Sequence, residues 1–304
     1  MRNLLIIAFT FCIVFAACRK EDPIVFTDNN IPPYDEIPTV IVENYVNRIY
    51  IDVLGREPLD VEMEVEVNLL EQNALTPEIR YELVDNLMFN QSFVAGDSSY
   101  NYAYFFKVYE DTKARLIEGA SDDFLNQQYG LIYGQAIADS INGDLVEYQA
   151  KLIEAGKVLA VLNSREEYRN NEITIDEMYA RMMNNAIYDQ INMNSFNFVN
   201  ASFDDLYFRF PTSAEFDNAY DIIENNNPNL IFGEVASNKL EYLNVLTGND
   251  EYREGLIRWA YLSLLAREPS SNEVFDLSQD FQFSLDIQEV QKQIIISDEY
   301  AGFD

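Results

Sequence analysis

The chain has 304 residues, 48% of them hydrophobic, so it is long enough to bury a substantial core and too apolar for a disordered acidic tail. Its 20 Lys and Arg against 52 Asp and Glu leave a net charge of −32, which argues against nucleic acid or a bare anionic lipid surface as partner. Histidine is absent and both cysteines lie in the first 18 residues, which removes the usual general base of Ser and Cys hydrolases, the commonest nitrogen ligand of zinc or haem iron, and any disulfide in the folded part.

The first element is a targeting segment. Met1-Arg2-Asn3 is a short positive start, Leu4 to Phe15 an apolar run, and Ala16-Ala17 supply small residues before Cys18. An apolar run of roughly a dozen residues is too short to span a bilayer comfortably. Phe15-Ala16-Ala17-Cys18 resembles the bacterial lipobox, with Phe where Leu is usual. That resemblance implies cleavage after residue 17 and a lipidated Cys18 at the mature N-terminus; a plain secretory signal cut near Ala17 is the alternative. Arg19-Lys20-Glu21-Asp22-Pro23 looks like the surface-export signal of Bacteroidota lipoproteins, which implies an outer-membrane, outward-facing address. Residues 18–38, with Pro23, Pro32, Pro33 and Pro38, read as a flexible tether.

From residue 39 the pattern is helical. Val42, Tyr45, Val46, Ile49, Tyr50, Val53 and Leu54 follow the spacing of an amphipathic helix, which Gly55 and Pro58 should end. There Arg56, Pro58 and Glu62 form an R-x-P-x-x-x-E pattern that returns as Arg209, Pro211 and Glu215 and again as Arg267, Pro269 and Glu273. An aromatic, apolar run precedes each copy. Behind the first, Val61, Met63, Val65 and Val67 alternate with carboxylates as a strand would. The sister copies decide for a helix, because Thr212 to Glu215 and Ser270 to Glu273 are capping boxes followed by apolar residues at helical spacing. A third helix is expected after Thr76-Pro77-Glu78 and after Asp286.

Units close on a second signature, at Asn90 to Phe93, Asn163 to Tyr168, Gly248 to Tyr252 and Ser297 to Tyr300. The expected architecture is therefore all-α: one domain over 39–304 holding three to four helix-turn-helix units, about 39–93, 129–168, 200–252 and 255–304. The unit at 129–168 is degenerate, with Asn142-Gly143-Asp144 at its turn. Residues 94–128 form an aromatic insertion whose Tyr100, Tyr102 and Tyr104 offer a candidate platform for sugar rings, burial between units being the competing explanation. The Asn-rich stretch 184–200 reads as a helix end running into a loop.

Tyr45 to Pro58 with Glu82 to Leu87 resembles the opening of the uncharacterised helical domain found beside cytochrome modules in planctomycete proteins. Tyr261 to Pro269 with Ser297 to Tyr300 is similar to an uncharacterised repeat of secreted bacterial proteins with an L-G-R-x-P turn. These resemblances imply an extracytoplasmic helical fold and bring no catalytic residue; without a haem motif they imply no electron transfer.

The three arginines are expected to be structural, pairing with the capping Glu or with helix-end carbonyls, the alternative being an anion clamp. Asp122-Asp123 and Asp204-Asp205 are expected at helix starts. EF-hand, P-loop, G-x-G-x-x-G and G-x-S-x-G patterns are missing, so no metal, cofactor or catalytic residue is assigned. The expected role is a non-catalytic subunit anchored through its N-terminal lipid that binds another envelope protein, such as an outer-membrane β-barrel. A surface glycan-binding lipoprotein is the alternative. A hydrolase using carboxylates alone would need a concave site with two acids of raised pKa.

Overall fold

The computed structural model describes residues 34–93 and 98–303; Cys18, the signal segment and most of the tether lie outside them. The described chain is all-α, with fifteen α-helices and one two-stranded hairpin. Tyr34, inside the expected tether, already belongs to the fold: its ring meets Phe303 and its hydroxyl donates to Asp298 at 2.8 Å.

The first repeat is α1 (Thr39–Ile49, continued by a π-helical turn Tyr50–Leu54), α2 (Asp60–Gln72) and α3 (Pro77–Phe89). In α2 the run that alternates with carboxylates is split between faces: Val61 is 62% and Val65 56% exposed, while Glu62 and Glu66 are buried with Val67 and Leu70. The aromatic insertion is helix α4 (Tyr100–Leu116). It is followed by a long hairpin of α5 (Asp122–Asn142) and α6 (Leu145–Arg169) that turns at Gly143, where the sequence places the turn. This pair replaces the expected degenerate unit. Asn163 to Tyr168 is not a closing turn but lies inside α6, where Ser164 hydrogen-bonds back to the Ala160 carbonyl instead of capping a new helix.

The Asn-rich stretch is also helical, in α7 (Ile175–Met183), α8 (Ala186–Asn192) and the start of α9 (Ser195–Tyr207). Its asparagines are caps: Asn185 accepts from the Ile187 N–H at 2.9 Å and Asn194 from the Asn197 N–H at 2.9 Å. The next repeat is α9, α10 (Ser213–Asn225) and α11 (Lys239–Gly248), with β1 (Asn229–Ile231) and β2 (Glu234–Ala236) set between the last two helices. Phe232 and Gly233 join these antiparallel strands with positive φ at both positions, the backbone a two-residue hairpin needs. The last repeat is α12 (Asp250–Leu265), α13 (Ser271–Ser284), α14 (Ile287–Ile295) and α15 (Asp298–Ala301).

First and last repeats are in direct contact, so the described chain closes on itself. Arg48 of α1 donates to the carbonyls of Tyr300, at 2.8 Å, and Leu264, and lies over the Tyr300 ring. Tyr300 returns a hydrogen bond to Asp52 at 2.7 Å, and Tyr45 donates to the Ile295 carbonyl. One contiguous core runs from Val42 to Phe303.

Candidate functional site

The three R-x-P turns are helix corners built alike. The residue before each arginine takes left-handed backbone: Gly55 at φ 72°, Phe208 at 56° and Ala266 at 54°. The arginine then grips the glutamate six residues ahead through two hydrogen bonds. These measure 2.8 and 2.8 Å for Arg56 and Glu62, 2.9 and 2.8 Å for Arg209 and Glu215, and 3.0 and 2.6 Å for Arg267 and Glu273. Each glutamate also accepts the N–H that opens its helix, from Leu59, Thr212 or Ser270 at 2.6 to 2.7 Å. Each guanidinium lies over the aromatic ring six residues back, Tyr50, Phe203 or Tyr261, at 5.1 to 5.4 Å.

At the second and third corners the two signatures are one device. Glu251, in the turn that closes the 200–252 repeat, takes the second edge of Arg209 at 2.8 Å, and Glu299 of the last closing turn takes Arg267 at 2.6 Å on both nitrogens. Bidentate arginine holds Glu215 and Glu273 down at about 2. At Glu62, burial opposes ionisation, and Arg56, the Leu59 N–H and the Tyr100 hydroxyl outweigh it, so this acid too is held below its ordinary value.

The first corner differs in one respect. Four residues after the capping glutamate, the sister copies carry apolar Ala219 and Leu277, whereas the first carries Glu66, only 6% exposed. Burial, with the neighbouring Glu62 charge, pushes Glu66 up to about 7.

The tyrosine platform does not form. Tyr100 is buried in the first corner, where it donates to Glu62 at 2.8 Å and meets the Tyr50 hydroxyl at 3.3 Å. Tyr104 is buried with its hydroxyl on Gln291 at 2.7 Å. Tyr102 lies on another face, half-buried, stacked on Phe106 beneath Arg165 and Arg169. Spacing by two shares a face on a strand but turns about 200° on a helix, so three such rings cannot line up on α4.

Asp122-Asp123 does open α5 behind the Ser121 cap, and Asp122 takes Lys113 at 2.7 Å and Tyr109 at 2.9 Å. Asp204-Asp205, expected at a helix start, instead sits in the last turn of α9, where a carboxylate is unfavourable against the helix dipole. Asp205 accepts the Tyr188 hydroxyl at 2.7 Å, and burial lifts it to about 6.

Two open grooves flank these corners. One, of about 690 Å³, lies between the second and third corners; Arg209 and Pro269 line it with Gly255, Val274 and Phe275, and Glu251, Glu254 and Glu268 supply its negative charge. The other, of about 510 Å³, holds the one tryptophan, Trp259, with Lys107, Asp111, Asp204 and Asp205. Arg115 crosses it, bound to the Asp205 carbonyl at 2.9 Å and packed 4.4 Å from the Phe208 ring centre. Asp111 is raised by burial like Asp205 but is ion-paired to Lys107 at 2.5 Å. Neither groove was visible in the sequence, since their walls come from helices far apart in the chain.

No protein family, curated protein or solved structure matches the chain. Among the described residues no helix is long and apolar enough to cross a membrane, and no group of three or more acids could hold a metal.

Proposed function

We propose that the mature protein is a non-catalytic binding or assembly subunit of a bacterial envelope, held at the outer membrane by lipid on Cys18 and docking another envelope protein, such as a β-barrel or its cargo. The observation that carries this reading is the groove between the second and third corners. It is open, its floor is apolar where Gly255 and Val274 face it, and Phe275 stands 64% exposed at its wall. Its rim carries Glu251, Glu254 and Glu268 against Arg209 and Arg258, which pair with Glu251 and Glu268, so the rim is polar with a slight negative excess. Apolar ground inside a rim of hydrogen-bonding and charged groups fits a partner segment that inserts an apolar side chain and meets the rim with polar ones. The test is recovery of a stoichiometric partner from detergent-solubilised membranes, lost in Phe275→Glu with unfolding unchanged; purification of the wild type alone would count against the reading.

The glycan reading moves with the structure from the tyrosines to Trp259. An aromatic ring beside Asp204, Asp205 and Lys107 supplies a stacking face with acceptors and a donor for hydroxyls. Retention on polysaccharide gels that disappears in Trp259→Ala would favour this reading over protein docking.

A further inference from the structure

Helix α5 packs chiefly on α6, and of its 21 residues only Leu125 and Ala136 are buried. From Phe124 to Ala138 it has no charged residue, in a chain that is 24% charged. Its outward line, at helical spacing, is Gly130, Leu131, Gly134, Ile137, Ala138 and Ile141, all exposed, with Leu131 at 53% and Ile141 at 80%. A continuous apolar surface of this kind marks an interaction site. The two glycines weaken the helix by about 1 kcal/mol each relative to alanine. A Cβ at either would meet nothing within 4 Å, so packing within the chain gives no reason for them. What they allow is the close approach of another backbone.

We propose that this face binds the same face of a second copy, with two α5–α6 hairpins packed antiparallel about a two-fold axis at Gly134. Charge selects this occupant. A partner of opposite sign would be recruited by carboxylates, which abound elsewhere and are missing here; a copy of the same acidic chain can approach only where charge is absent. In the antiparallel pairing the Asp122-Asp123 ends lie roughly 35 Å apart and the two Asp139 side chains roughly 15 Å apart along the axis. The closest cross-pair, Asp123 with the second copy's Asp139, is roughly 9 Å apart, about one Debye length, and Asp139 is neutralised by Lys151 at 2.5 Å. Size agrees. The uncharged stretch of α5 alone, about 22 Å by about 10 Å, offers about 220 Å² per copy, so α6 must contribute its exposed Val146 and Ile153 beside the charged Glu147. The whole hairpin face, about 30 Å by about 20 Å, offers about 1,200 Å² for the pair, the lower end of a specific interface.

The test is the mass of the purified full chain in mild detergent, by light scattering and sedimentation. The wild type is expected at twice the mass of one chain. Ile137→Glu, at an exposed position, is expected to weaken association at least 100-fold without lowering the melting temperature. In a Cys12→Ser, Cys18→Ser background, Gly134→Cys is expected to cross-link to itself on mild oxidation while Val235→Cys, on the β-hairpin, does not. A monomer at tens of micromolar would overturn the proposal, as would a dimer that withstands Ile137→Glu or a monomer whose α5 face inserts into neutral lipid vesicles.

Discussion

The guanidinium of Arg80, in the first repeat, reaches the carboxylate of Asp298, in the last, at 2.7 Å, and no part of Arg80 is exposed. The rings of Tyr34 and Phe303 lie 5.4 and 5.3 Å from it, so a cation from α3 is enclosed by residues from both ends of the described chain. Its Nε and Nη1 have no hydrogen-bond partner, which leaves Nη2, donating to Asp298 and to the Tyr34 hydroxyl at 3.2 Å, and the two rings to hold the charge. Arg80→Ala should lower unfolding free energy by about 3–5 kcal/mol, because it opens a cavity and removes one side of a buried pair. The measurement is the urea midpoint at constant slope; a loss below about 1 kcal/mol would show that the seam between the repeats is weak.

The corner arginines should rank by burial. Arg56 and Glu62 expose 24% and 6% of their side chains, against 35% and 31% for Arg267 and Glu273. Arg56→Ala is therefore expected to destabilise by about 2–3 kcal/mol and Arg267→Ala by about 1. A double-mutant cycle between Arg267 and Glu299 should return a coupling of at least about 0.5 kcal/mol; strict additivity would mean that corner and closing turn act independently.

Backbone substitutions should act in opposite directions on the two ends of α12. Ala266 sits in left-handed backbone where the first corner has Gly55, so Ala266→Gly should raise stability by about 0.5–1 kcal/mol. At Gly255 an added Cβ would stand 2.0 Å from the Leu206 carbonyl oxygen of α9, so Gly255→Ala should destabilise by more than about 2 kcal/mol. Thermal unfolding of both variants decides the matter.

Acid groups in the corners should give stability opposite slopes with pH. The folded chain keeps a proton on Glu66 that the unfolded chain releases, so this contribution is complete below the ordinary value of 4.5 and is lost as pH rises through about 7. Glu66→Leu, which installs the residue found at 277, should flatten that decline and stabilise the protein above about pH 8. Glu215 and Glu273 work the other way: their contribution is present above 4.5 and disappears as pH falls towards about 2. Between about pH 6 and 8 the unfolding midpoint should fall less in Glu66→Leu than in the wild type, while the decline that Asp205 contributes as pH rises through about 6 remains in both.

The all-α class, the three corners and the turn at Gly143 were legible in the sequence because each depends on local chemistry: a left-handed residue, a proline, a capping glutamate. Where local pattern is ambiguous, the reading failed for physical reasons. Tyr100, Tyr102 and Tyr104 alternate as on a strand, but a helix turns the middle ring away. Asp204-Asp205 looks like a helix start until α9 is seen to run on through Tyr207. The partnership of Arg209 with Glu251 spans 42 residues and that of Arg80 with Asp298 spans 218, distances over which spacing carries no signal.

The closure of the chain also bears on how it is made. An open stack of repeats can settle each unit as it emerges, whereas here Tyr34, Tyr45 and Arg48 wait for partners 250 to 264 residues away. Such separations slow the final docking, and although α2 covers part of α1 early, they leave the side of α1 that meets Tyr300 and Phe303 uncovered until the last helix has been delivered. A chain cut short before Asp298 would thus be incomplete at its beginning, the end that synthesis finished first.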